Sequence, residues 1–220
     1  MKYEITGENL PILEISLKKG EKVICEGGAM TYRSMDIDMK TKFGGLGTAL
    51  SRRFSGEKMA FNEYEALKDG QKIAFASSFP GAILPIEFSG KKALIVQKKA
   101  FLASTEGIER KIAFQKRFAT GFFGGEGFIM QRISGNGTVF LEIDGSLIEK
   151  ELKKGETLLV DTGHVVAYET SVTMNVETVK GAKNMLLGGE GFFNTKLVGP
   201  GKVYLQSMPI SKITALYDIK

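Results

Sequence analysis

The chain has 220 residues, 43% of them hydrophobic, which is enough to bury a sizeable core and too apolar for a disordered or fibrous protein. Twenty-seven glycines and 15 phenylalanines against 5 prolines and no tryptophan call for many tight turns between short strands. The net charge of +5 arises from 30 Lys+Arg and 25 Asp+Glu mixed along the chain, so no basic tail or stripe marks a nucleic-acid groove.

The N-terminal MKYEITGENL lacks the basic stretch and apolar run of a signal peptide, and no uninterrupted apolar stretch is long enough for a spanning helix. With a single cysteine, Cys25, no intramolecular disulfide forms; the expectation is a cytoplasmic protein in which Cys25, within VICEG, is a core residue. The first strand signal follows the turn LKKGE at 17–21, where KVICEGGAMTY alternates apolar and polar positions. LGTALSRRF at 46–54 is the one helical candidate, short and flanked by glycines, and it carries the adjacent Arg52 and Arg53. A Gly-Glu pair, Gly56 and Glu57, opens GEKMAF at 56–61, and DGQKIAF follows at 69–75.

These elements then recur. KKALIVQKKAFLAS at 91–104 sets Leu94, Val96, Phe101 and Ala103 where Val23, Cys25, Met30 and Tyr32 stand on apolar positions of the first element. GEGFIM at 125–130 brings the pair Gly125 and Glu126, and GNGTVFL follows at 135–141. LKKGE returns at 152–156 ahead of TLLVDTGHVVA, then GEGFFN with Gly189 and Glu190, then GPGKVYL at 199–205. The Gly-Glu pairs lie 69 and then 64 residues apart (57 to 126, 126 to 190). The expectation is one all-β domain over 1–220, an antiparallel sandwich or barrel of three pseudo-symmetric repeats at about 1–84, 85–146 and 147–220. Each repeat buries its apolar face against its neighbours around a pseudo-threefold axis.

The ordered set GGLGTALSRRFSGE, PGAILPIEF, FFGGEGF, VDTGHVVAYE, GGEGFF and GPGKVYLQS resembles a bacterial family related to the mitochondrial protein named for altered inheritance of mitochondria. The resemblance covers nearly the whole chain. It implies a pseudo-trimeric β-sandwich similar to the subunit of the tryptophan RNA-binding attenuation protein, and implies no reaction: the mitochondrial relatives are associated with inner-membrane organisation.

No catalytic constellation accompanies the only histidine, His164; it reads as a turn or strand residue donating to a backbone carbonyl. One His and one Cys without an acidic loop make no zinc or calcium motif, and the glycine strings lack the order of a nucleotide loop, so no metal and no cofactor are expected. Glu57, Glu126 and Glu190 are the shared polar residues, read as acceptors within their own glycine-rich turns. The chain therefore reads as a non-enzymatic binding or scaffold protein. Its candidate binding residues are Arg52, Arg53, Gly56, Glu57, Gly125, Glu126, His164, Gly189 and Glu190, its partner an unidentified protein or an anionic membrane surface, and association with further copies is left open. The alternative is nucleic-acid binding by analogy of fold.

Overall fold

Every second side chain of Ile12–Leu17 is buried, and Lys22–Glu26 follows the same beat with Val23 and Cys25 inside, the period of a strand with one face on a core. The computed structural model describes residues 1–44, 59–116, 127–178 and 193–209. Among them are 17 strands and two short 3-10 turns, Lys98–Ala100 and Thr162–His164, with no α-helix. The expected helical piece at 46–54 lies outside the described residues. The strand ladders are antiparallel, as an all-β sandwich or barrel requires.

The chain divides into two compact units, Met1–Lys92 with Phe101–Lys111 and Ser134–Glu142, and Ala93–Ala100 with Ile112–Ile133 and Ile143–Lys220. In the first, β1 (Lys2–Thr6), β2 (Ile12–Leu17), β7 (Gln71–Ala76) and β4 (Met30–Arg33) form one sheet in the order β1-β2-β7-β4. Beside it run β9 (Phe101–Thr105), β3 (Lys22–Glu26), β6 (Met59–Ala66) and β5 (Ile37–Gly44), with the 139–141 stretch of β11 (Phe128–Asp144) on the outer side of β9. Leu13, Ile15, Val23, Cys25, Tyr64, Ile73, Phe75 and Phe140 make the buried core. The Tyr3 ring meets Phe140 edge-on at 5.0 Å, a favoured aromatic geometry.

In the second unit the 94–96 stretch of β8 (Gly81–Gln97) pairs with β14 (Val165–Glu169), which pairs with β17 (Gly201–Gln206), which pairs with β12 (Leu147–Leu152). A three-stranded sheet holds β13 (Thr157–Asp161), β16 (Phe193–Val198) and β15 (Thr173–Thr178) in the order β13-β16-β15. Phe128, Met130, Val165, Leu197, Val203 and Leu205 are among its buried core residues. β10 (Ile108–Lys116) pairs with β11.

The two LKKGE segments build the same corner. In each, the Glu side chain accepts the backbone N–H of the first Lys at 2.8 Å, Lys18 to Glu21 and Lys153 to Glu156. Gly20 and Gly155 take φ of 82° and 78° with open space where a Cβ would stand; the left-handed backbone, not crowding, calls for glycine. At these corners β2 hands over to β3 and β12 to β13, and the partner strands hand over alongside, β6 to β7 and β16 to β17.

A bulge also recurs. The ladder skips one residue at Thr31 of β4, at Leu102 of β9 and at Val166 of β14. The residues after it are Tyr32, Ala103 and Ala167, so the alignment of Met30 and Tyr32 with Phe101 and Ala103 is also the alignment of the ladders. Burial differs: Ala103 and Ala167 are fully buried, whereas Tyr32, on an apolar position in the sequence pattern, is 46% exposed. Its ring ends in a polar group that needs a partner, and the hydroxyl donates to Glu14 at 2.6 Å.

The corner carboxylates are expected to matter equally. Glu21→Gln and Glu156→Gln should each cost about 1 kcal/mol in urea unfolding, the scale of a side chain that caps a backbone N–H. The Lys18 N–H, above all, holds the Glu21 carboxyl below its ordinary value. Its contribution is thus complete above the usual glutamate range and is lost as pH falls through the lower folded-state value. Stability measured against pH should fall less steeply on the acid side for Glu21→Gln than for the wild type.

Candidate functional site

Eight of the nine candidate residues of the sequence, all but His164, fall in three connections. Arg52, Arg53, Gly56 and Glu57 lie in 45–58 between β5 and β6, Gly125 and Glu126 in 117–126 between β10 and β11, and Gly189 and Glu190 in 179–192 between β15 and β16. All eight lie outside the described residues; the strands that carry them do not. β5 and β6 stay in register to Gly44 and Met59, and β15 and β16 to Thr178 and Phe193. Each Gly-Glu pair therefore belongs to a segment joining two strands that pair with each other. On β5, Lys42 reaches Glu63 of β6 at 2.5 Å. On β10, the Lys116 ammonium donates to the Val176 carbonyl at 2.9 Å, and Phe114 meets Phe128 edge-on at 6.3 Å.

His164 closes the 3-10 turn that starts after Asp161, whose side chain accepts the Gly163 N–H. Its Nδ1 lies 2.6 Å from the Gln206 carbonyl oxygen. A carbonyl can only accept, so Nδ1 carries the proton and donates. Gln206, 4% exposed, returns the contact by donating Nε2–H to the Gly163 carbonyl at 3.0 Å, and its Oε1 accepts the Asp144 N–H at 3.1 Å. Beneath the turn, the Thr162 hydroxyl donates to the Phe193 carbonyl and accepts from the Thr195 hydroxyl. This is a strapped turn: the bonds of Thr162, Gly163 and His164 tie it to β16 and β17, and none aims the ring at a nucleophile.

Two buried charges escaped the sequence reading. Arg110 is 8% exposed, pairs with Glu26 at 2.8 Å, and lies over the Phe101 ring at 3.8 Å and the Phe61 ring at 5.5 Å. Glu142, also 8% exposed, accepts from the Ser77 hydroxyl at 3.1 Å, the Phe79 N–H at 3.2 Å, the Ser78 hydroxyl at 3.3 Å and the Ser78 N–H. Both satisfy their charge within the fold, and the partners lie 84 and about 64 residues away in sequence, beyond the reach of any local motif. Cys25 is fully buried, and burial pushes its thiol up to about 12, the opposite of an activated nucleophile. Among the described residues, no three His, Cys, Asp or Glu side chains are placed to hold a metal ion, and no helix is long and apolar enough to cross a membrane.

Antiparallel sheets that turn at two like corners define an all-β sandwich or barrel class. Within that class the assignment is specific: the chain belongs to the mitochondrial biogenesis AIM24 family, whose model matches residues 3–208. It is 32% identical over 213 residues to an uncharacterised protein of Streptococcus pyogenes serotype M6, covering 92% of this chain and 83% of that protein. The fold is similar to an X-ray crystal structure of a Streptococcus pyogenes protein, with a TM-score of 0.79 at 27% identity over 99% of this chain and 98% of the other.

The strapped turn yields a prediction. Gln206→Ala removes two side-chain bonds from a buried position and should cost about 1–3 kcal/mol in chemical unfolding. It should also loosen 161–164, seen as faster amide exchange at Gly163.

Proposed function

We propose that the protein is a non-catalytic binding or scaffold protein that works in the cytoplasm through the 45–58, 117–126 and 179–192 connections. One observation carries this reading: the three Gly-Glu pairs occupy the same place in the order of strands, each between two strands that pair with each other. A segment joining two paired strands suits recognition, because the strands fix its ends. The three sequence repeats each supply one such connection, and the first differs by Arg52 and Arg53, between Leu50 and Phe54. Two guanidiniums beside apolar side chains suit an acidic protein surface or the anionic face of a membrane. The wider framework is consistent with this: its buried charges, Arg110 and Glu142, bind the fold itself.

The test is an Arg52→Ala/Arg53→Ala double variant in co-sedimentation with anionic and neutral vesicles and in affinity capture from lysate. At about 1 kcal/mol per basic residue near an anionic surface, vesicle affinity should fall about 30-fold, with no change toward neutral vesicles. Equal retention of lipid and partner by both proteins would remove this loop from the proposal. Tight, salt-sensitive retention of RNA that survives the double substitution would favour the nucleic-acid reading instead.

A further inference from the structure

Gly135, Asn136 and Gly137 lie within β11, in the first unit, packed against the turn from β9 to β10. A Cβ on Gly135 would stand 2.1 Å from the Gly107 carbonyl oxygen, and one on Gly137 2.2 Å from the Thr105 hydroxyl oxygen; only glycine lets the segments come this close. The Asn136 N–H donates to the Gly107 carbonyl at 3.1 Å and the Thr138 N–H to the Thr105 hydroxyl at 2.9 Å. The stretch is therefore held on both sides of the Asn136–Gly137 peptide bond. Asn136 itself is exposed, its carboxamide lying over Gly90 of β8 with Oδ1 3.1 Å from where a Cβ would stand.

This is the only Asn-Gly pair in the chain, and at the matching place in GPGKVYL the third repeat has Pro200, which carries no carboxamide. An asparagine before glycine is open to deamidation, because no Cβ shields the glycine nitrogen. Once the Gly137 N–H gives its proton to solvent base, the nitrogen attacks the Asn136 Cγ. A five-membered imide closes, and the carboxamide nitrogen leaves as ammonia. Water then opens the imide at either carbonyl, giving aspartate or isoaspartate.

The ring closes only if the Gly137 nitrogen swings over the side chain. In extended backbone it points away, and ψ of Asn136 must turn by roughly 100°. The two hydrogen bonds and the two close approaches oppose that turn. We propose that Asn136 is a modification site that this packing keeps shut: deamidation proceeds when 134–138 lifts from the 105–108 turn, and isoaspartate then prevents the stretch from reseating. Isoaspartate brings the side-chain carbon into the main chain and lengthens it by about 1.5 Å, between two contacts that leave no slack. Aspartate keeps the backbone length, so the stretch can reseat.

Peptide mapping of the full chain tests this, after incubation at alkaline pH in native buffer and in guanidinium chloride, with isoaspartate read by enzymatic methyl transfer. Modification at 136 should be at least about tenfold slower in native buffer, the factor set by the free energy of local opening. The isoaspartate form, separated by ion exchange, should unfold at lower denaturant than the wild type and exchange its Thr138 amide faster. Asn136→Asp should stay close to the wild type in both. Equal rates of modification in the two solutions would overturn the proposal, as would an isoaspartate form with the stability and Thr138 exchange of Asn136→Asp.

Discussion

The fold depends on a carboxylate that turns back on its own strand. In LKKGE a strand must leave one sheet and enter another, and the N–H of the first Lys would lose its ladder partner there. Glu21 and Glu156 accept that N–H at the same 2.8 Å. The corner is then braced from the partner hairpin. Gly20 donates to the Ala66 carbonyl and Ala66 to the Glu21 carbonyl; Gly155 donates to Gly199 and Gly199 to Glu156. Four backbone groups are thus satisfied by protein partners at each point where the ladder breaks. At this corner β2 passes to β3, and Leu13, Ile15, Val23 and Cys25 of the two strands share one core.

Much of this architecture was legible because its signals are local. Alternation in ILEISL and KVICE marks which side chains point inward, and LKKGE reads as a turn wherever it occurs. The offset that aligns Met30 and Tyr32 with Phe101 and Ala103 proved to be a bulge in the ladder. Apolar pattern alone missed Tyr32, because a tyrosine satisfies alternation while its hydroxyl asks for an outward partner. Nothing local announced Arg110, stacked on Phe101 and paired with Glu26 across 84 residues, or Glu142 gathering the 77–79 segment. Such pairs form only after the strands have been brought side by side, so they exist in the fold and not in any window of sequence.

The candidate site was legible in another sense. Gly-Glu pairs recur at near-equal spacing, and the strand order puts each of them in the same kind of connection. His164 was read as a backbone donor, and its Nδ1 meets the Gln206 carbonyl. The reciprocal role of Gln206, which straps the turn from the neighbouring strand, had no sequence signal, since glutamine at the end of a strand is ordinarily a solvated residue. The buried polar groups of the turn, Thr162 and Gln206, thus hold backbone carbonyls of neighbouring segments.

Cys25 gives the protein a built-in clock. It is the only thiol of the chain, at the centre of β3 with no measurable exposure, and its surroundings disfavour the thiolate. A labelling reagent can reach it only when the core that covers it, Leu13, Ile15, Ile73 and Phe75 included, opens. The rate of thiol modification in native buffer therefore reports how often this core opens, without denaturant.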